Sequence, residues 1–267
     1  MCVSMKMFVV KITLEAIMTL KKQISEILLK LKLNGMNAEL ERQCSNDKYE
    51  DMSFLERLHG LALEELTLTS NSHIARLLKR SNIRWKHASL SEIDYKIQTS
   101  LKSAVIKELA ELEWLNNHRH IIITGATGLG KTYLASAFSN EVIMQSVEAF
   151  QCRFSELIIK LSADKSEKGV TTFLNKVKKV PLLVIDDWGI APLTVTERHA
   201  LFELIEQRDQ KGSLIITSQY PVGDWYDAFG DETIADSTLD RIVHSAHKIN
   251  MKGESFRKLM GIQGGLK

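Results

Sequence analysis

Eight consecutive residues, Gly125-Ala126-Thr127-Gly128-Leu129-Gly130-Lys131-Thr132, complete the pattern G-x-x-x-x-G-K-T. Glycines at those positions let the backbone bend so that successive N–H groups face phosphate oxygens. A helix starting at the last glycine adds the positive end of its dipole to the same anion. Lys131 is placed to follow β and γ phosphates, and the Thr132 hydroxyl is a hard oxygen ligand suited to Mg²⁺. The apolar run Ile121 to Thr124 precedes the pattern and a helix-forming stretch follows it, which is the setting the pattern requires. The chemistry expected is binding of a nucleoside triphosphate with magnesium.

A second set of residues fits that chemistry. Leu182-Leu183-Val184-Ile185 ends in Asp186-Asp187, so a buried strand brings two carboxylates to its carboxyl end, where open α/β sheets bind ligands. Alone, two acids after a strand read as the start of a loop. Beside a phosphate loop, Asp186 reads as a magnesium holder, directly or through water, and Asp187 as the base that polarises an attacking water. Thr217-Ser218-Gln219 closes a further apolar run before Pro221; these residues either cap a turn or reach the γ-phosphate and the water. Arg241 and Arg257 read, from spacing alone, as surface ion-pairing residues, and Trp188 as a packing residue.

The elements that position these groups follow from periodicity. From His120 onward, Ile121 to Thr124, Glu148 to Arg153, Leu182 to Ile185, Leu214 to Thr217 and the weaker His247 to Met251 alternate with helical patterns. One of these, Thr196 to Gln210, opens with a capping box at Thr194 and Glu197. Short buried runs alternating with helices predict a parallel sheet covered by helices on both faces. The first hundred residues read as all-helical. Leu20, Ile24, Ile27, Leu28 and Leu31 define one amphipathic helix with Gly35 as its stop, and Ser53 to Leu68 and Ser72 to Ile83 define two more. The expected division is a poorly patterned, dispensable segment 1–17, a helical domain 18–100 and an α/β domain 101–267.

Composition narrows the function classes. With 44% hydrophobic and 25% charged residues, the chain is neither disordered nor collagen-like. No apolar run is long enough for a membrane span or a secretory leader, and three scattered cysteines form no disulfide framework or zinc motif. A cytoplasmic protein with no membrane partner is expected. Residues 1–117 carry 17 basic and 15 acidic side chains and residues 118–267 carry 18 of each, so any nucleic-acid contact must come from a local patch. No acid lies between Glu65 and Glu92, where Arg76, Lys79, Arg80, Arg84 and Lys86 cluster. Arg76, Arg80 and Arg84 at i, i+4 and i+8 predict one side of a helix; the patch is either DNA-binding or a solvated face.

Taken in order, GATGLGKT, LLVIDDWG, LIITSQYP, LDRIVH and GESFRK resemble the IstB-type AAA+ ATPases, helpers of insertion-sequence transposition related to the DnaC-type helicase loaders. The resemblance also covers LKLNGMNAEL and SFLERLHGL in the helical region. It implies an α/β AAA+ P-loop NTPase core with five parallel strands, preceded by a small helical domain. It also implies ATP hydrolysis with Mg²⁺, ATP-dependent self-assembly into an oligomer on DNA, and assistance to a cognate transposase. By the same resemblance Gln219 or Ser218 is the first sensor, Arg241 an arginine finger acting on a neighbouring copy, and Arg257 a second sensor. A DnaC-like replicative helicase loader is the alternative. A small-molecule kinase or NTPase would need a substrate pocket and lid that no segment of the sequence supplies.

Overall fold

A computed structural model describes residues 18–164, 166–189 and 192–255; the segment 1–17 and Arg257 lie outside the described residues. Two compact units divide at Ala75 and Arg76, inside one helix and upstream of the expected boundary at 100.

The first unit is helical. Residues 18–30 form α1, followed by α2 (Asn34–Cys44) and the first part of α3 (Phe54–Arg80). Lys32, at φ 61°, ends the first helical run; Gly35 is not its stop but the second residue of α2. That helix has no N-cap side chain of its own. Glu65 of α3 replaces it, its carboxylate accepting the Gly35 and Met36 N–H groups at 2.7 and 3.1 Å. A negative group there satisfies orphan donors and complements the helix dipole. Gly35 is required for this approach, because a Cβ would stand 2.7 Å from the Glu65 Cα.

The expected second and third helices are one, α3, which ends at Arg80. The residues between Leu68 and Ser72 continue the helix, and hydroxyls in and beside that gap bond locally: Thr67 to the Leu63 carbonyl at 2.8 Å and Thr69 to Glu65 at 3.1 Å. Asn82, at φ 55°, turns the chain out of the helix and donates to the Gln151 carbonyl at 2.9 Å. Arg84 therefore leaves the helical side expected to carry Arg76, Arg80 and Arg84 together. Its N–H instead donates to Gln151 Oε1 at 3.1 Å, a contact within the second unit, which begins at Arg76.

That unit continues through α4 (Ser103–Ala110), α5 (Glu113–Asn116), β1 (His120–Gly125), α6 (Lys131–Met144), β2 (Ala149–Arg153), α7 (Phe154–Ser162) and α8 (Val170–Lys179). It ends with β3 (Leu182–Trp188), α9 (Val195–Arg208), β4 (Ser213–Ser218), α10 (Trp225–Phe229), α11 (Glu232–Val243) and β5 (Ala246–Met251). The five strands are parallel in the order β2-β3-β4-β1-β5. Strands buried on both sides must be apolar throughout rather than alternating. Ile122, Leu183, Ile185, Leu214 and Ile216 enter a cluster with Leu157, Val177, Leu204 and Leu239 from α7, α8, α9 and α11. The intervening Ile121, Ile123, Val184 and Ile215 are equally buried and belong to the opposite face, where α6 packs. The predicted capping box at Thr194 and Glu197 opens α9.

Candidate functional site

The phosphate loop leaves β1 at Gly125 and enters α6 at Lys131. Gly125, Gly128 and Gly130 have φ of 146°, 86° and 89°, conformations an L side chain rarely adopts. A Cβ on Gly125 would collide with the Met251 carbonyl at the end of β5, and one on Gly128 with the Ser255 hydroxyl. Gly130 is the N-cap of α6 and offers no side-chain cap. The first N–H groups of the helix are therefore left for an anion.

Lys131 is buried, and its ammonium donates to the Gly125 and Ala126 carbonyls at 2.7 and 2.9 Å. It is thus folded over the loop whose ligand it is expected to follow. The Thr132 hydroxyl donates to both Asp186 carboxylate oxygens, at 2.9 and 3.2 Å, and Thr217 donates to the same carboxylate. Asp186 is only 2% exposed. A buried carboxylate beside a hydroxyl, at a loop built for phosphate, is the all-oxygen donor set that magnesium takes, so these residues fit ATP with its metal.

Both acids lie within β3 rather than after it. Ile185 pairs with Ile216 and Trp188 with Ser218, so Asp186 and Asp187 together oppose Thr217, a β-bulge. Asp187 has φ 60° and its N–H donates to Thr217 Oγ1 at 3.1 Å. A non-glycine residue held there costs on the order of 1–3 kcal/mol and persists only where surrounding structure enforces it.

The two residues after Thr217 take different parts. Ser218 is fully buried; its hydroxyl donates to the Trp188 carbonyl at 2.9 Å and accepts the Trp225 indole N–H at 3.2 Å. Gln219 reaches the phosphate loop, its Oε1 accepting the Thr127 hydroxyl at 2.6 Å. Trp188 is a packing residue, its ring 4.6 Å from Phe154 and 5.4 Å from Trp225.

Arg241 is elsewhere. Its guanidinium binds the Ser237 carbonyl and hydroxyl, lies 3.7 Å from Glu206 and sits over Phe202. Its carbonyl accepts the Ser245 hydroxyl at 2.9 Å, and the Ser245 carbonyl accepts the His120 N–H that begins β1. The arginine therefore lies at the amino end of the strands. The phosphate loop lies beyond their carboxyl end, about 16 Å away along β1. With Asn117, His118, Asp209 and Asp240, Arg241 lines a cavity of about 730 Å³ at that amino end. Arg76, Lys79 and Arg80 are exposed at the end of α3, and Arg84 and Lys86 are exposed on the loop after it.

Sequence reasoning missed the walls of the site. Gln98, in a stretch without periodicity, is buried and its Nε2 donates to the Leu129 carbonyl at 2.9 Å. Ser100 accepts the Lys252 N–H at 2.9 Å, bringing the chain after β5 beside the loop. No spacing signals either contact, because each joins residues far apart in sequence, 31 and 152 positions.

Residues 26–263 match the family described as IstB-like ATP binding protein. A protein named as the insertion sequence ATP-binding protein y4pL of Sinorhizobium fredii is 34% identical over 228 residues, covering 85% of this chain and 92% of its own. Among solved structures, DnaI is similar at a TM-score of 0.54 and 22% identity, over 67% of this chain and 94% of its own. The DnaC helicase loader is similar at 0.52 and 20%, over 63% and 99%. Those two likenesses show the fold: an AAA+ P-loop core.

Proposed function

The chain belongs to the IstB-like ATP binding protein family, and from that premise we propose that it is an ATPase that assembles on DNA in its ATP state and assists a transposase. The observation that carries the reading is the Thr132–Asp186 pair at the foot of the glycine loop, since a family built to bind ATP has here the oxygen ligands hydrolysis requires. Magnesium, when bound, offsets charge on the β and γ oxygens. Lys131 would leave its two carbonyls to follow those phosphates, Thr132 and Asp186 would hold the metal, and Asp187 would take a proton from the attacking water. Gln219, already bonded to Thr127, orients that water. Adjacent copies hold together in the ATP state and separate after hydrolysis, each supplying Arg241 to the next. The insertion-sequence name of a relative at 34% identity favours a transposase partner over a helicase.

DNA contact falls to Arg76, Lys79, Arg80, Arg84 and Lys86, which seek phosphate rather than read bases. The test is co-sedimentation with duplex DNA of unrelated sequences. With ATP or a non-hydrolysable analogue the chain should pellet as an oligomer, independently of sequence, with affinity falling steeply as salt rises. Equal binding with ATP, ADP and no nucleotide would overturn the reading.

A further inference from the structure

Three of the four tryptophans are core residues: Trp114, Trp188 and Trp225 are 3%, 1% and 1% exposed. Trp85 is 50% exposed, yet the chain that carries it is tightly fixed. Asn140 donates to the carbonyls of Trp85, Lys86 and Ala88 at 3.2, 3.3 and 2.8 Å, and the Ala88 N–H returns to the Trp85 carbonyl at 3.1 Å. Upstream, Ile83 is buried and the Arg84 N–H is held by Gln151. A large ring held half exposed on a fixed loop keeps its face accessible without further ordering of the chain.

Its neighbours decide what that face suits. The Tyr133 ring lies 6.4 Å from the indole, tilted by 56°. The tyrosine hydroxyl donates to Glu92 at 2.7 Å and accepts the Ser89 N–H at 3.3 Å. Burial, and then the Glu92 carboxylate, raise its pKa, so the phenol stays neutral. Arg84, Lys86 and His87 share the lining of a hollow of about 420 Å³ with these rings. Its one carboxylate, Glu92, is engaged by the tyrosine. Arg76, Lys79 and Arg80 extend the cationic surface back along α3.

We propose that Trp85 and Tyr133 form a stacking platform for one unpaired base of a DNA strand whose phosphates run along Lys86, Arg84 and the end of α3. The inference rests on the DNA-binding reading above and deepens it. An aromatic face is free to take a base only where the base has left its stack, since a duplex hides those faces. The cations continue from Lys86 and Arg84 on the loop to just over one turn of α3, about 6 Å between Arg76 and Arg80 alone, which suits a polyanion rather than one mononucleotide.

Trp85 reports on its own site, being the exposed indole among four. Titrating the full chain with a single-stranded dT oligonucleotide, in saturating non-hydrolysable ATP analogue, should quench tryptophan fluorescence, whereas a duplex of equal length should leave it unchanged. Trp85→Phe should lose the quench while keeping most of the affinity, measured by anisotropy of a labelled strand, and Trp85→Ala should weaken binding about tenfold or more. Circular dichroism verifies that both variants fold. Unchanged affinity in Trp85→Ala, an equal quench by an abasic strand, or an equal quench by the ATP analogue alone would overturn the platform. Duplex binding without any response at Trp85 to single strands would overturn the platform and leave the DNA reading standing. Failure of the wild type to bind any DNA would overturn both.

Discussion

In the proposed mechanism Lys131 serves nucleotide binding and Asp187, on β3, serves turnover. Lys131→Ala removes the mobile ammonium that now caps the Gly125 and Ala126 carbonyls, and nucleotide affinity measured by calorimetry should fall at least tenfold. Asp187→Asn keeps size and hydrogen bonding but loses basicity; it should bind ATP normally and lose turnover by a factor of about 100 or more. Normal turnover in that variant would remove Asp187 as the base. Both residues were legible because their chemistry is written in adjacent letters. The left-handed backbone of Asp187 was not, since it arises from the register of β3 against β4. His120 bears on stability. Burial, reinforced by Arg208, pushes its pKa down from 6.5 to about 4, and its Nδ1 accepts the Leu214 N–H at 3.2 Å. Between those values the unfolded chain binds the proton and the folded chain does not. The stabilisation is therefore complete above about pH 6.5 and lost as pH falls towards 4, about 3 kcal/mol in all. Urea midpoints across that range should show the slope in wild type and a shallower one in His120→Asn, which keeps an acceptor without titrating.

At the scale of elements, one buried arginine ties three together. Arg208, 2% exposed at the end of α9, donates to the Val177 and Val180 carbonyls at 2.7 and 2.9 Å and to the Ser213 carbonyl at 3.0 Å. It thereby fixes the end of α8 and the starts of β3 and β4. Arg208→Met fits the volume but leaves three carbonyls without donors, and should cost about 3 kcal/mol or more in chemical unfolding; a loss under about 1 kcal/mol would show that water replaces it. The five strands and the capping box of α9 were readable because burial on both faces and cap spacing are local properties. The unity of α3 was not, because the polar Thr69, Ser70 and Asn71 interrupt the apolar periodicity, although the Thr69 hydroxyl bonds Glu65 one turn back. The cationic row likewise read as one helical stripe, although Asn82 divides it between a helix and a fixed loop.

For the whole molecule, distance decides what Arg241 can do. Arg241 stands at the amino end of the strands, a full strand length from its own phosphate loop, tied to Ser237 and facing Glu206. From there it can act on a γ-phosphate only in another copy; otherwise it is an ion pair joining α11 to α9. Both alone predict some effect of Arg241→Ala, so a single variant does not separate them. An arginine finger contributes on the order of 10³ to 10⁵ in rate, whereas a pair at 3.7 Å with a half-exposed partner contributes little to stability. The most direct measurement is therefore the ATPase rate of Arg241→Ala mixed with Lys131→Ala on DNA, with co-assembly verified by cross-linking. Each variant alone should be inactive, and the mixture should recover a fraction of wild-type turnover set by the interfaces that join an intact loop to an intact finger. A mixture that co-assembles and stays inactive would contradict a site shared between copies.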